Sequence, residues 1–243
     1  MIEKAKESFR NKVVKKGIVN SLKASIKLPV YVLEYLISQY YEDSANDEEI
    51  ISKVKEVLDR HYILPEDKNK IKDAIKTNGS IIVIDKLTVE VDLKNDIYTG
   101  FIQTAGIKDI LIDDLWIREY PALIDGGMWG LIKLEKNPDD TRLPIFVGKF
   151  NPIQVESAEL DDLIEKRGNF SRDEWLDLLV RTIGLEPSQF ERRTKLLILI
   201  RLIPMIQRNY NLIELGPRGT GKSYVYRDLT PYAILVSGGK TTV

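Results

Sequence analysis

The 243-residue sequence has no cysteine, one histidine and no long apolar run, and each scarcity removes a class of function. Without cysteine there are no disulfides, no thiolate metal sites and no thiol nucleophile. His61 is the only imidazole, so neither a histidine-rich metal site nor a serine, histidine and aspartate triad can be assembled unless His61 serves in it. His61 falls at the end of an apolar-periodic stretch, where a favourable contact with a helix terminus is the expected role. The greasiest segment, Leu196 to Ile206, is cut by Arg201 and too short to cross a bilayer. The N-terminus has no uninterrupted apolar core of the signal-peptide kind. The chain reads as a soluble, cytoplasmic protein without a membrane partner. Its acidic pairs (Asp113 with Asp114, Asp139 with Asp140, Asp161 with Asp162) follow no metal-loop spacing and read as turn and cap residues.

Net charge is also small, only -1, but it is unevenly spread. Lys4, Lys6, Arg10, Lys12, Lys15, Lys16, Lys23 and Lys27 face only Glu3 and Glu7 over residues 1–28. A local excess of this kind suits DNA, because each phosphate neutralised releases a counterion, and these eight residues are the candidate DNA contacts. Phe9, Val13, Val14, Ile18 and Leu22 recur at helical spacing, so the segment is expected to be a helix with one buried side.

The periodicity then divides the chain into three. Residues 1–78 read as a helical bundle: Pro29 suits a first turn, Asn46 or Asp47 an entry, Pro65 another start and Asn78-Gly79 a stop. Over residues 79–156 the period falls to two, in "SIIVI", "LTVEVDL", "IYTGFIQ", "ILIDDLWI", "MWGLIKLE" and "LPIFVGKF". Short strands without helical runs between them predict a small antiparallel barrel, with the oligonucleotide-binding (OB) barrel of about five strands as one candidate. Tyr98, Phe101, Trp116 and Trp129 could stack on bases there, although core packing is the commoner fate of such residues. "IDGGMWG" implies a tight turn or a close backbone approach. Helices return in residues 157–243. Ser171 with Glu174 forms a capping box, Gly184 is a stop, and a long helix from about Ser188 to Gln207 is apolar almost all round and so expected to be buried on more than one face, with Pro204 able to kink or shorten it. The fold class expected is α+β.

Near the end stands "LIELGPRGTGKSYVY". Gly216, Gly221, Lys222 and Ser223 satisfy the phosphate-loop pattern, with "YNLIEL" as an expected buried strand before it and "SYVYRDL" as a helix behind. Glycines let backbone N–H groups, including those of Gly219 and Thr220, turn towards phosphate oxygens. Lys222 reaches the outer phosphates, and the Ser223 hydroxyl is a magnesium ligand, so ATP and Mg2+ are the expected cofactors. Turnover needs more, namely a metal-holding acid on a later strand and usually an arginine from a neighbour. The 20 residues after Ser223 contain Asp228 alone, on the helix just behind the loop, so no catalytic residue is assigned and the chain is expected to be inactive by itself.

The run from Asn211 to Val243, with "FSRDEWLDLLVRTIGLEP" and "LLILIRLIPMIQRNYN" ahead of it, resembles the BrxL family, the Lon-related AAA+ ATPases of bacterial phage-exclusion (BREX) systems. The resemblance is most specific from about Phe146 onward. It implies an N-terminal DNA-binding region, an AAA+ core, a Lon-like C-terminal domain, hexamer-type rings on DNA and other phage-defence proteins as partners. Gly216, Gly219, Thr220, Gly221, Lys222 and Ser223 carry over as nucleotide ligands. "SGGKT", Ser237 to Thr241, matches a family block to which no physical role is assigned. On this reading the chain is an excised N-terminal piece, because a sheet left unfinished exposes strand edges. Two other readings stand beside it: a small ATPase completed by a partner chain, and a ring-assembly module whose lysines stay solvated.

Overall fold

Cap and breaker residues fix most of the helix ends. The computed structural model describes residues 2–9, 13–40, 46–138, 142–153, 160–230 and 232–233. Its first 78 residues hold α1 (Ile2–Phe9), α2 (Lys16–Lys23), α3 (Val30–Ser38), α4 (Asp47–His61) and α5 (Lys68–Asn78). Pro29 is the N-cap of α3, and Asn46 accepts the Glu49 N–H at 2.9 Å ahead of α4. Pro65 opens a 3-10 turn leading into α5, which Gly79 ends with φ 78°. His61 closes α4, with Nδ1 3.1 Å from the Ile82 carbonyl oxygen.

Strands β1 (Ser80–Asp92), β2 (Ile97–Ile102) and β3 (Ile107–Ile112) follow. Then come α6 (Asp114–Glu119), β4 (Met128–Lys136) and β5 (Ile145–Pro152). The C-terminal part holds α7 (Leu160–Arg167), α8 (Arg172–Thr182), α9 (Arg192–Ile200), α10 (Ile203–Ile206) and α11 (Lys222–Asp228). By compactness the chain forms two units, residues 52–154 and residues 1–51 with 155–243.

The first unit is a closed five-strand barrel in the order β1-β2-β3-β5-β4. "SIIVI" and "LTVEVDL" are one 13-residue strand, long enough to pair with β4 through its first half and β2 through its second. All pairs are antiparallel except β3 with β5. Alternation puts Val83, Leu87, Ile102, Ile110, Ile132 and Leu134 in the interior with no exposed surface. Helix α5 buries Ile71 and Ile75 in the same core, so it belongs with the barrel, while α2 and α3 pack on each other in the second unit. The first 78 residues are thus divided between the two units. "ILIDDLWI" divides where Asp113 caps α6 by accepting the Leu115 N–H at 2.8 Å. Trp116 lies on that helix, stacked on Tyr120 and edge-on to Phe150, its Nε1 donating to the Val147 carbonyl at 3.3 Å. Its role is packing.

Buried Asp85 pins the turn after β2. Its carboxylate accepts from Thr104 Oγ1 at 2.7 Å and from the Thr104 and Ala105 N–H groups, and burial pushes its pKa up. In "IDGGMWG" both anticipated devices occur. Gly127 has φ 77°, and a Cβ there would lie 2.6 Å from the Leu87 carbonyl oxygen.

In the second unit the capping box of α8 forms as expected. Ser171 Oγ accepts the Glu174 N–H at 3.2 Å and Glu174 accepts the Ser171 N–H at 2.8 Å. The expected single N-terminal helix is instead α1 and α2, because its apolar residues have two destinations. Phe9 joins Phe170 and Trp175, whereas Ile18, Val19 and Leu22 are buried from α2. Lys4 Nζ donates to Glu174 at 3.1 Å, clasping α1 to α8. The Ser171 N–H, then Lys4, hold the Glu174 carboxyl down at about 2. Because this pKa is depressed on folding, the stability it gives is present above the ordinary carboxylate range and lost as pH falls from about 4.5 towards 2. The clasp is expected to hold at pH 4 and release near pH 2. Acid titration of tryptophan fluorescence, with Glu174→Gln removing that transition, checks this.

The long helix from Ser188 to Gln207 is not continuous. In a continuous helix the Pro204 ring would collide with the carbonyl four residues earlier, at Ile200, which is where α9 ends, and Pro204 sits at the start of α10. Nor is α9 buried: Leu196 and Leu197 are about half exposed.

Candidate nucleotide site and the basic segment

The loop from Gly216 to Ser223 folds around its own lysine. Lys222 Nζ donates to the Gly216 carbonyl at 3.0 Å, to the Pro217 carbonyl and to Thr220 Oγ1 at 2.9 Å. Gly219 and Gly221 have φ of 83° and 74°, a backbone that other residues adopt only under strain. Ser223 lies in the first turn of α11, so the loop-to-helix order the motif requires is present. A ring of backbone turned about a cationic side chain fits a polyphosphate. The N–H groups of residues 219–223 and Lys222 Nζ would hold the phosphates, and Ser223 Oγ would ligate magnesium. Bound there, Mg2+ supplies charge neutralisation of the outer phosphates.

The strand expected before the loop does not form. Residues 210–217 have no regular structure, and Ile213 and Leu215 are 86% and 90% exposed. A strand needs a neighbour to take its N–H and C=O groups, and none lies beside it among the described residues.

Helix α11 is anchored from behind by Val225, 1% exposed, and Asp228, 5% exposed. Burial alone would raise the Asp228 pKa, but hydrogen bonds from Lys23 and Arg227, both at 2.8 Å, hold it below the ordinary value. Asp228 is thereby occupied as an ion-pair partner, as its position off the loop suggested. Beside Thr220 and Gly221 opens a cavity of about 300 Å³ with Ile183, Leu185 and Val225 as apolar wall and Lys16 and Asn20 at its rim. No spacing in the sequence links Lys23 to Asp228, 205 positions apart, or α2 to the loop.

Of the eight basic residues proposed for DNA, Arg10 and Lys12 lie outside the described residues. Five of the others have carboxylate partners: Lys4 with Glu174, Lys6 with Glu3, Lys15 with Asp47, Lys16 with Glu34 and Lys23 with Asp228. Lys27 is exposed. The charge excess that composition assigns to residues 1–28 is thus met in part by acids distant in sequence. Of the acidic pairs, Asp113 and Asp161 with Asp162 stand at helix starts, while Asp139 and Asp140 lie outside the described residues. Among the described residues no group of three or more histidine, aspartate or glutamate side chains is placed to hold a metal ion. No helix among them is long and apolar enough to cross a membrane.

Comparison with known families decides the assignment. The model for the BREX system Lon protease-like protein BrxL N-terminal region matches residues 7–136, and that for the Lon-like protease BrxL-like ATPase domain matches residues 145–243. This chain belongs to the BrxL family. The ATPase-domain match contains the whole phosphate loop, and it also takes in β5, the strand that closes the barrel. The Lon-like protease BrxL of Bacillus cereus (strain H3081.97) is 39% identical over 242 residues, covering 97% of this chain and 36% of that protein. The Lon-like protease BrxL of Escherichia coli O9:H4 (strain HS) is 37% identical over 241 residues, covering 98% and 35%. The BrxL-family chain described here spans about a third of the length of these curated relatives.

Proposed function

We propose that this BrxL-family chain is the DNA-engaging N-terminal region and the opening part of the AAA+ motor of a BREX phage-defence protein, working in ring-shaped assemblies on DNA in the cytoplasm. The observation that carries the reading is the phosphate loop closed around Lys222 in a chain matched by the BrxL-like ATPase domain. ATP would place its phosphates on residues 219–223, Mg2+ on Ser223 and its base in the cavity walled by Ile183, Leu185 and Val225. Residues 1–78 and 79–156 serve as the DNA-facing modules and residues 157–243 begin the ATPase. The strand order β1-β2-β3-β5-β4, a long β1 shared by both halves of the barrel and a helix between β3 and β4 support reading it as an OB-like, nucleic-acid-binding barrel. Exposed apolar residues of α9 and of residues 210–217 support docking of further ATPase elements, and other phage-defence proteins are the expected wider partners.

Asp228 is paired with Lys23, which favours nucleotide binding without turnover by this chain alone. Fluorescence anisotropy of labelled duplex and single-stranded DNA across a salt series, with light scattering to measure assembly, tests the whole reading. Steeply salt-dependent binding, weakened about tenfold or more when Lys12, Lys15 and Lys16 become Glu, is the expected result. No binding of either DNA at low salt would leave ring assembly as the role of these modules. Steady ATP hydrolysis lost on Lys222→Ala would favour a small ATPase completed across a chain interface.

A further inference from the structure

The N-terminal lysines largely have acidic partners, whereas Lys68, Lys72 and Lys108 of the barrel unit have no carboxylate partner among the described residues. In the barrel unit, Lys68 and Lys72 lie four residues apart on one face of α5. With Lys108 of β3 and Arg142 from the β4–β5 connection they line one open groove of about 430 Å³. Among the described residues Asp109 is the single acid on its wall. Lys68 is fixed at the mouth by donating to the Gly106 carbonyl at 2.7 Å, whereas Lys72 and Lys108 have no carboxylate partner among the described residues. Lys108 Nζ also stands 5.6 Å above the ring of Phe101, which is on the outer, non-core side of β2 and only partly covered.

We infer that this groove binds a single-stranded nucleic acid, with Lys68, Lys72, Lys108 and Arg142 on successive phosphates and Phe101 as a stacking platform for one base. The inference rests on the DNA-binding reading above and gives it a different site. Charge complementarity selects a polyanion, because Lys72 and Lys108, without a carboxylate partner among the described residues, keep their full attraction for phosphate. The aromatic selects an unpaired strand, because a base in a duplex shows its edge and not its face to a side chain lying outside the helix. The groove also adjoins the β2–β3 surface and the β4–β5 connection, the parts of an OB-type barrel that meet oligonucleotides.

The test uses fluorescein-labelled oligo-dT and a matched duplex, titrated with the whole chain from 0.05 to about 0.2 M salt, a range in which phosphate contacts dominate. Lys72→Glu with Lys108→Glu is expected to weaken oligo-dT binding at least about tenfold and to flatten the salt dependence by about 1.4 in log–log slope, two phosphate contacts at about 0.7 each. Phe101→Ala should cost about tenfold with the slope unchanged. Lys72→Arg with Lys108→Arg should bind as the unaltered chain does. Unchanged melting of each variant keeps a loss of binding from being a loss of fold. The inference is overturned if the Glu pair leaves oligo-dT binding intact, or if duplex binding falls while oligo-dT binding does not. Binding lost only through Lys15→Glu and Lys16→Glu would overturn the groove assignment while the DNA-binding reading stands. Absence of any DNA binding by the unaltered chain would end both.

Discussion

Replacing Lys222 with alanine is expected to reduce affinity for ATP about 100-fold while leaving the melting temperature unchanged. The ammonium is solvent-exposed and among the described residues bonds only atoms of its own loop, the Gly216 and Pro217 carbonyls and Thr220 Oγ1, so the fold gains little from it. With nucleotide bound, the same ammonium turns to phosphate oxygens, and a hydrogen bond between charged groups contributes about 1.5–3 kcal/mol. A loss of about 2.7 kcal/mol is a hundredfold in affinity. Titration of a fluorescent ATP analogue with Mg2+ reads it directly. Ser223→Ala should weaken binding in Mg2+ but change little once the metal is chelated, which separates metal ligation from phosphate contact. An affinity unmoved by Lys222→Ala would remove the phosphate loop from the nucleotide site.

Gly127→Ala is expected to destabilise the barrel by about 2–5 kcal/mol. Its φ of 77° alone costs any residue with a Cβ about 1–2 kcal/mol. The new Cβ would also lie 2.6 Å from the Leu87 carbonyl oxygen and from Thr88 Oγ1, at the strand that both halves of the barrel share. Forcing those atoms apart adds about 1–3 kcal/mol. Gly106→Ala is the control within the same unit. Its φ of 63° carries the conformational cost, but nothing lies within 4 Å of its would-be Cβ, so a loss of only about 1 kcal/mol is expected. Urea unfolding of both variants separates the two contributions. Equal losses would mean that the close approach to β1 relaxes freely.

Local signals in the sequence translated faithfully where the cause is itself local. The Ser171 and Glu174 box, the stops at Gly79 and Gly184 and the break that Pro204 imposes at Ile200 depend on groups within four residues of one another. The same holds for the phosphate loop, whose glycines and lysine lie within eight consecutive residues. The long apolar helix and the buried strand "YNLIEL" fared differently. Both expectations took apolar character as evidence of burial, yet Leu197, Ile213 and Leu215 are 57%, 86% and 90% exposed. Hydrophobic patterning identifies a face that would gain from a partner, and whether one is present depends on the rest of the chain.

Charge shows the same division. Composition concentrates positive charge in residues 1–28, but folding brings Asp47, Glu174 and Asp228 against Lys15, Lys4 and Lys23. It also gathers Lys68, Lys72, Lys108 and Arg142 at one groove from three stretches that no sequence window would join.

By itself, then, the sequence determined the α+β class, the alternating strands of the barrel, the family and the phosphate loop, because each is encoded in neighbouring residues whose sterics and hydrogen bonds act at short range. Only the tertiary structure decided the closure of β1 on both β2 and β4, the placement of α5 against the barrel, the pairing of the N-terminal lysines and the groove of cations. Those outcomes rest on contacts between residues tens to hundreds of positions apart, which burial and charge select only when the whole chain is folded.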